Sequence, residues 1–168
     1  MKIYYDNRTD EKIVPLKKLI RLALTETLKF EGAYKDVEVS LSFVTDEEIK
    51  EINKAYRGKN KSTDVLSFPM INYMHEEFFR DLTKEELENE RDLASGKVNL
   101  GEIVVSLDTI RRQAKDFKNT FEKELTLMVI HSMLHLMGYD HVNNKKEEKR
   151  MFGKQELILE RVFDKYEK

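Results

Sequence analysis

The sequence predicts a single α+β domain over residues 1–168, a small mixed sheet packed against several helices around a buried central helix. Three observations predict it. Strand-like segments lie between residues 1 and 105, apolar residues recur at helical spacing between and after them, and no internal repeat or low-complexity linker interrupts the chain.

Met1–Tyr5 is the first strand candidate. Pro15 suits a first helical position, and Leu16, Leu19, Ile20, Ala23 and Thr27 follow at helical spacing. Val37, Val39, Leu41 and Phe43 alternate with Glu38, Ser40 and Ser42, which predicts a strand with one buried face. Thr45 and Glu48 form a capping-box pattern for a helix to about Tyr56, which Gly58 ends. Val65–Phe68 reads as a strand stopped by Pro69, and Ile103–Val105 as a continuous apolar, central strand. Helices near 108–118, 120–137 and 145–166 complete the chain. Residues 72–99 form a polar, acidic excursion between strands, with a helix around Thr83–Leu93. It reads as a solvated excursion, with a lid over the site as the alternative.

Composition narrows the function classes. A charged fraction of 37% beside 40% hydrophobic residues fits a globular domain with a heavily charged surface. The absence of cysteine excludes disulfides, cysteine-ligated zinc ribbons and thiol nucleophiles. No apolar run reaches the roughly 20 residues of a membrane span. The N-terminus lacks the apolar core of a secretory signal, so a cytoplasmic location is expected. The net charge of −2 is neutral on nucleic acid, but residues 54–61 carry Lys54, Arg57, Lys59 and Lys61 with no acid among them.

The chemistry concentrates in Glu124–Met137, which is apolar almost all round and therefore reads as a helix inside the domain. His131 and His135 interrupt it at i,i+4 and so stack on one face. Gly138 can leave the helix in a left-handed conformation, and the turn Tyr139–Asp140 then leads to His141. The unit HSMLHLMGYDH, H-x3-H-x2-G-x2-H, has the ligand spacing of metzincin zinc proteases. Three imidazoles leave one tetrahedral position open, the catalytic type of zinc site. Core histidines bonded to carbonyls would explain a lone pair, but not three of the chain's four histidines in one short motif. The fourth, His75, lies in the acidic excursion and reads as a surface residue. Nickel would accept the same ligands. Metzincin proteases place a glutamate after the first histidine as base; Ser132 stands there, which disfavours a peptidase.

HSMLHLMGYDH resembles the signature of the YbeY family of metal-dependent bacterial endoribonucleases. NKAYRGKNKSTDVLSF (Asn53–Phe68) resembles that family's N-x2-Y-R…T-D-V-L-S-F block, and LGEIVVS (Leu100–Ser106) its LG-[DE]-I-x-I-S strand. Ser132 replaces a glycine common in the family, and the 72–99 excursion is longer than its usual connection. The resemblance implies one zinc ion held by His131, His135 and His141. It also implies a hydrolase of single-stranded RNA acting in ribosomal RNA maturation, at the 3′ end of 16S rRNA, and in ribosome quality control. The expected partners are ribosomal RNA and the small ribosomal subunit, with neither DNA nor membrane. The family's functional arginine maps onto Arg57, which could grip a phosphate bidentately and offset developing charge. Charge pattern alone reads Arg57 as a solvated loop residue. Thr63 and Asp64 read first as turn and strand entry, second as support for a zinc ligand; Glu102 and Asp140 share that ambiguity. Two other function classes stay open: a ribosome-assembly factor whose zinc is structural, and a zinc peptidase.

Overall fold

The computed structural model describes residues 1–33, 36–74, 77–140 and 145–167. Among these residues four strands form one sheet: β1 (Lys2–Asn7), β2 (Val37–Phe43), β3 (Val65–Pro69) and β4 (Val98–Val105). Their spatial order is β1-β2-β4-β3. β1 and β4 run parallel to β2, while β3 is an antiparallel edge strand on β4. The mixed sheet and α+β class are as the sequence predicts. Among the described residues six α-helices accompany it: α1 (Lys17–Phe30), α2 (Asp46–Arg57), α3 (Lys84–Asn89), α4 (Leu107–Asp116), α5 (Phe121–Leu136) and α6 (Lys145–Tyr166).

Two strands differ from their predictions. β2 is buried along both faces rather than one, Glu38 and Ser42 included. It lies inside the sheet between β1 and β4, and Ser42 satisfies its hydroxyl by donating to Glu102 at 2.6 Å. β4 begins at Val98, five residues before the apolar run that predicts it. Asn99, Gly101 and Glu102 break the apolar pattern, yet pairing holds the backbone extended, Asn99 to β2 and the other two to both neighbours.

Alternation along the strands divides the core. Val65, Ile103 and Val105 join the main core with α1, α5 and α6. Leu66, Phe68 and Val104 point the other way, to Ile49 and Ile52 of α2. α5 thus packs on one face of β3–β4 and α2 on the other, with the short edge strand between them. Contact with α1, α4 and α6 buries α5 nearly all round.

α2 shows local rules obeyed in half. Thr45 Oγ1 accepts from the Glu48 amide at 3.2 Å, as an N-cap should. The Glu48 carboxylate, however, takes a 2.6 Å ion pair from Arg8 on the strand side. Gly58 ends the helix at φ +67°, and Asn53 Nδ2 donates to the Lys61 carbonyl at 2.9 Å, fixing the basic loop that follows.

The 72–99 excursion is not solvated throughout. Phe79 and Leu87 are buried in the main core, as is Ile71 just before it. Its helix, α3, is shorter than predicted, and Thr83 and Glu86 cap it reciprocally.

Candidate metal centre

α5 begins at an N-cap, Thr120, whose side chain accepts from the Lys123 amide. Its buried length fixes the two histidines, since i and i+4 fall one above the other. The His131 and His135 Nε2 atoms lie 2.9 Å apart, with ring planes at 76°. Both rings are half-buried, so the pair opens to solvent from an otherwise dry helix.

α6 supplies a residue that the sequence reading missed. His131 Nδ1 lies 2.9 Å from the side-chain oxygen of Gln155. An amide oxygen only accepts, so Nδ1 carries the proton and donates, leaving Nε2 with its lone pair. The signal was legible: Gln155 is the one polar member of an α6 stripe formed by Met151, Ile158, Leu159 and Val162. A polar residue at 4% exposure in such a stripe needs a partner, and His131 is it.

With His131 Nε2 unprotonated, the 2.9 Å contact needs a proton on His135 Nε2, or one cation shared by both nitrogens. Two imidazole nitrogens converging on one point, one oriented by an amide acceptor behind it, fit a divalent ion with nitrogen preference. Among the described residues no three metal-ligating side chains gather. His141, the third histidine of the motif, lies outside the described residues, as does His75.

Arg57 is brought to a different place. It is the exposed last residue of α2, on the sheet face away from α5, and the loop 58–64 runs from it to the edge strand β3. It forms no ion pair among the described residues. Tyr56 beside it is exposed and sits edge-on to Phe68, with ring centroids 5.1 Å apart. Asp64 spends its carboxylate locally, accepting from Val65 N at 2.7 Å and Thr63 Oγ1 at 3.1 Å, which shapes the strand entry. Glu102 faces the α2 side and binds Ser42, away from the histidines. Ser132 is fully buried, and its hydroxyl has no partner among the described residues.

The C-terminal end of α5 is closed by a left-handed turn. Tyr139 N donates to Leu134 O and Gly138 N to His135 O, each at 3.1 Å, with Gly138 at φ +98°. Around it, the buried Glu31 carboxylate at the end of α1 accepts from Tyr139 Oη at 2.6 Å, Lys154 Nζ at 2.5 Å and Arg80 Nη1 at 2.5 Å. Burial alone would raise the Glu31 pKa. The Lys154 and Tyr139 bonds and the Lys154 and Arg80 charges outweigh it and hold the carboxyl below its ordinary range.

Comparison with known proteins identifies the family. The sequence model of the family described as Endoribonuclease YbeY matches residues 4–163. The endoribonuclease YbeY of Clostridium beijerinckii is 40% identical over 164 residues, covering 95% of this chain and 96% of that one. That of Clostridium botulinum strain Loch Maree is also 40% identical, covering 96% and 98%. The solution structure of TM1509 from Thermotoga maritima is similar at a TM-score of 0.62 and 33% identity, covering 98% of this chain and 91% of that one. With the family match spanning nearly the whole chain, this protein belongs to the YbeY endoribonuclease family.

Proposed function

We propose that this protein is a zinc-dependent endoribonuclease that cleaves single-stranded RNA. Its substrate is ribosomal RNA on the small subunit, at the 3′ end of 16S rRNA, and it serves ribosome quality control in the cytoplasm. Among the described residues no helix is long and apolar enough to cross a membrane. The observation that carries the reading is the convergence of His131 and His135 Nε2 at 2.9 Å, with Gln155 holding the proton on His131 Nδ1.

His131, His135 and His141 would hold the ion. When bound, it supplies Lewis acidity at neutral pH, beside a phosphodiester that develops negative charge as it is attacked. The chain's own groups do the rest. Gln155 keeps His131 in the ligating tautomer. Arg57, exposed at the head of the loop, grips a phosphate of the strand passing the β3 edge and offsets its charge, with Lys59 and Lys61 beside it. Ser132 offers no carboxylate and is buried, so the proton acceptor for the nucleophile is not the residue after the first histidine.

The test is a paired assay of wild type and His131→Ala with stoichiometric zinc, on single-stranded RNA and on casein. RNA cleavage lost with the metal in His131→Ala, and casein left intact, is the expected result. Zinc bound but RNA uncut would favour an assembly factor with structural zinc, and casein cleavage a peptidase. Full RNA cleavage by a zinc-free His131→Ala would sink the reading. Substrates with 2′-deoxy substitution at the cut site then identify the nucleophile: cleavage that persists excludes the 2′-hydroxyl.

A further inference from the structure

The last four carbonyls of α5 must find partners beyond the helix. Those of Leu134 and His135 are taken by the chain's own turn, through Tyr139 and Gly138. The next two are taken by the excursion. Tyr73 Oη donates to Leu136 O at 2.7 Å, and Phe79 N donates to Met137 O at 3.0 Å. Burial, with the Glu90 and Glu77 charges behind it, pushes the Tyr73 phenol up, so it stays a donor.

The same segment closes over the turn itself. A Cβ on Gly138 would fall 2.7 Å from Glu77 O, 3.2 Å from the Tyr73 ring and 3.3 Å from Phe78 Cα. Phe78 packs on Tyr139 with ring centroids 4.4 Å apart, and Arg80 lies over the Phe78 ring while bonding Glu31 and Tyr139. Lys154 completes the cluster from α6, one residue before Gln155. The excursion, the end of α1 and α6 therefore meet at Tyr139, two residues before His141 in sequence.

We propose that Tyr73 and Arg80 are positioning residues for the metal centre: they fix the Gly138–Asp140 turn that delivers His141, and so set metal affinity. The inference rests on reading His131, His135 and His141 as a metal site. It gives the long excursion a task at the ligand turn, which a contact serving stability alone would not have.

The experiment uses the full chain with Zn²⁺ and Co²⁺ as probes, affinities from chelator competition, and the visible absorption of bound Co²⁺. Tyr73→Phe keeps the ring and removes only the donor; Arg80→Met removes the charge and Arg80→Lys partly restores it. Thr83→Ala, which uncaps α3 in the same excursion, controls for general loosening. Tyr73→Phe and Arg80→Met should each weaken the affinity roughly tenfold or more and alter the Co²⁺ band. Arg80→Lys should recover part of the loss, and Thr83→Ala should leave affinity and spectrum unchanged. Wild-type affinity and spectrum in folded Tyr73→Phe overturn the proposal, as does an equal loss in Thr83→Ala. If Arg80→Met does not fold, Tyr73→Phe decides. His135→Ala separates the two levels: it must lose the ion in either case. Undiminished binding there would bring down the metal reading and this inference with it.

Discussion

A neutral imidazole has one proton and one lone pair, and the amide oxygen of Gln155 decides which nitrogen of His131 keeps which. Gln155→Leu fills the same buried space without an acceptor. It should lower zinc affinity by roughly 10- to 100-fold while far-UV circular dichroism stays that of the wild type. Ser132 presents the opposite case, a buried hydroxyl with no partner among the described residues. Ser132→Ala removes that desolvated group and improves helix propensity, so urea unfolding should show stability unchanged or raised by up to about 1 kcal/mol. Glu31 links stability to pH. Its carboxyl titrates lower in the folded chain than in the unfolded one, facing Arg80, Lys154 and Tyr139. Its contribution is therefore present above the unfolded carboxylate pKa and is lost as pH falls through the lower folded value. Glu31→Gln should cost roughly 3 kcal/mol at pH 7, a deficit that shrinks as urea midpoints are followed down toward pH 3. The histidine pair was legible because i,i+4 spacing in an apolar helix leaves few readings. Gln155 was harder, since its meaning comes from a helix packed beside α5 rather than from its neighbours in sequence.

At the level of elements, Gly101 sets how closely α5 approaches the sheet. It sits in β4 at φ +131°, and a Cβ there would fall 2.1 Å from the Phe68 carbonyl oxygen and 3.1 Å from Leu136 Cδ2. Leu136 is the residue after His135, so a side chain at position 101 would push against both the edge strand and the histidine-bearing turn of α5. Gly101→Ala should destabilise by at least about 2 kcal/mol, read from the urea midpoint. This glycine also explains why half of β4 escaped the sequence reading. Gly101 and the polar Asn99 and Glu102 look like loop chemistry, and only pairing to neighbouring strands makes them strand. β2 misleads in the other direction: its alternation is real, but a strand inside the sheet between β1 and β4 buries Glu38 and Ser42 as well. Caps and breakers read better. Thr45, Gly58 and Thr83 act locally, so their neighbours in sequence suffice to predict them.

The whole molecule carries a net charge of −2, so long-range attraction cannot gather RNA to it, and affinity must come from a local patch. If Lys54, Arg57, Lys59 and Lys61 each neutralise one phosphate, log K against log salt should fall with a slope of about −3 for a single strand. Arg57→Ala should make that slope shallower by about 0.7, a change measurable by fluorescence anisotropy with a metal-free, uncleaved RNA complex. The arrangement along the chain has a temporal side as well. The histidines lie on α5, but the group that orients His131 lies on α6, after both of them. His131 leaves the ribosome 24 residues ahead of Gln155, so the histidines emerge before the group that orients one of them. Until α6 has emerged and docked, the chain has imidazoles but no fixed tautomer. A member of an endoribonuclease family built in this order is not armed until its last helix folds.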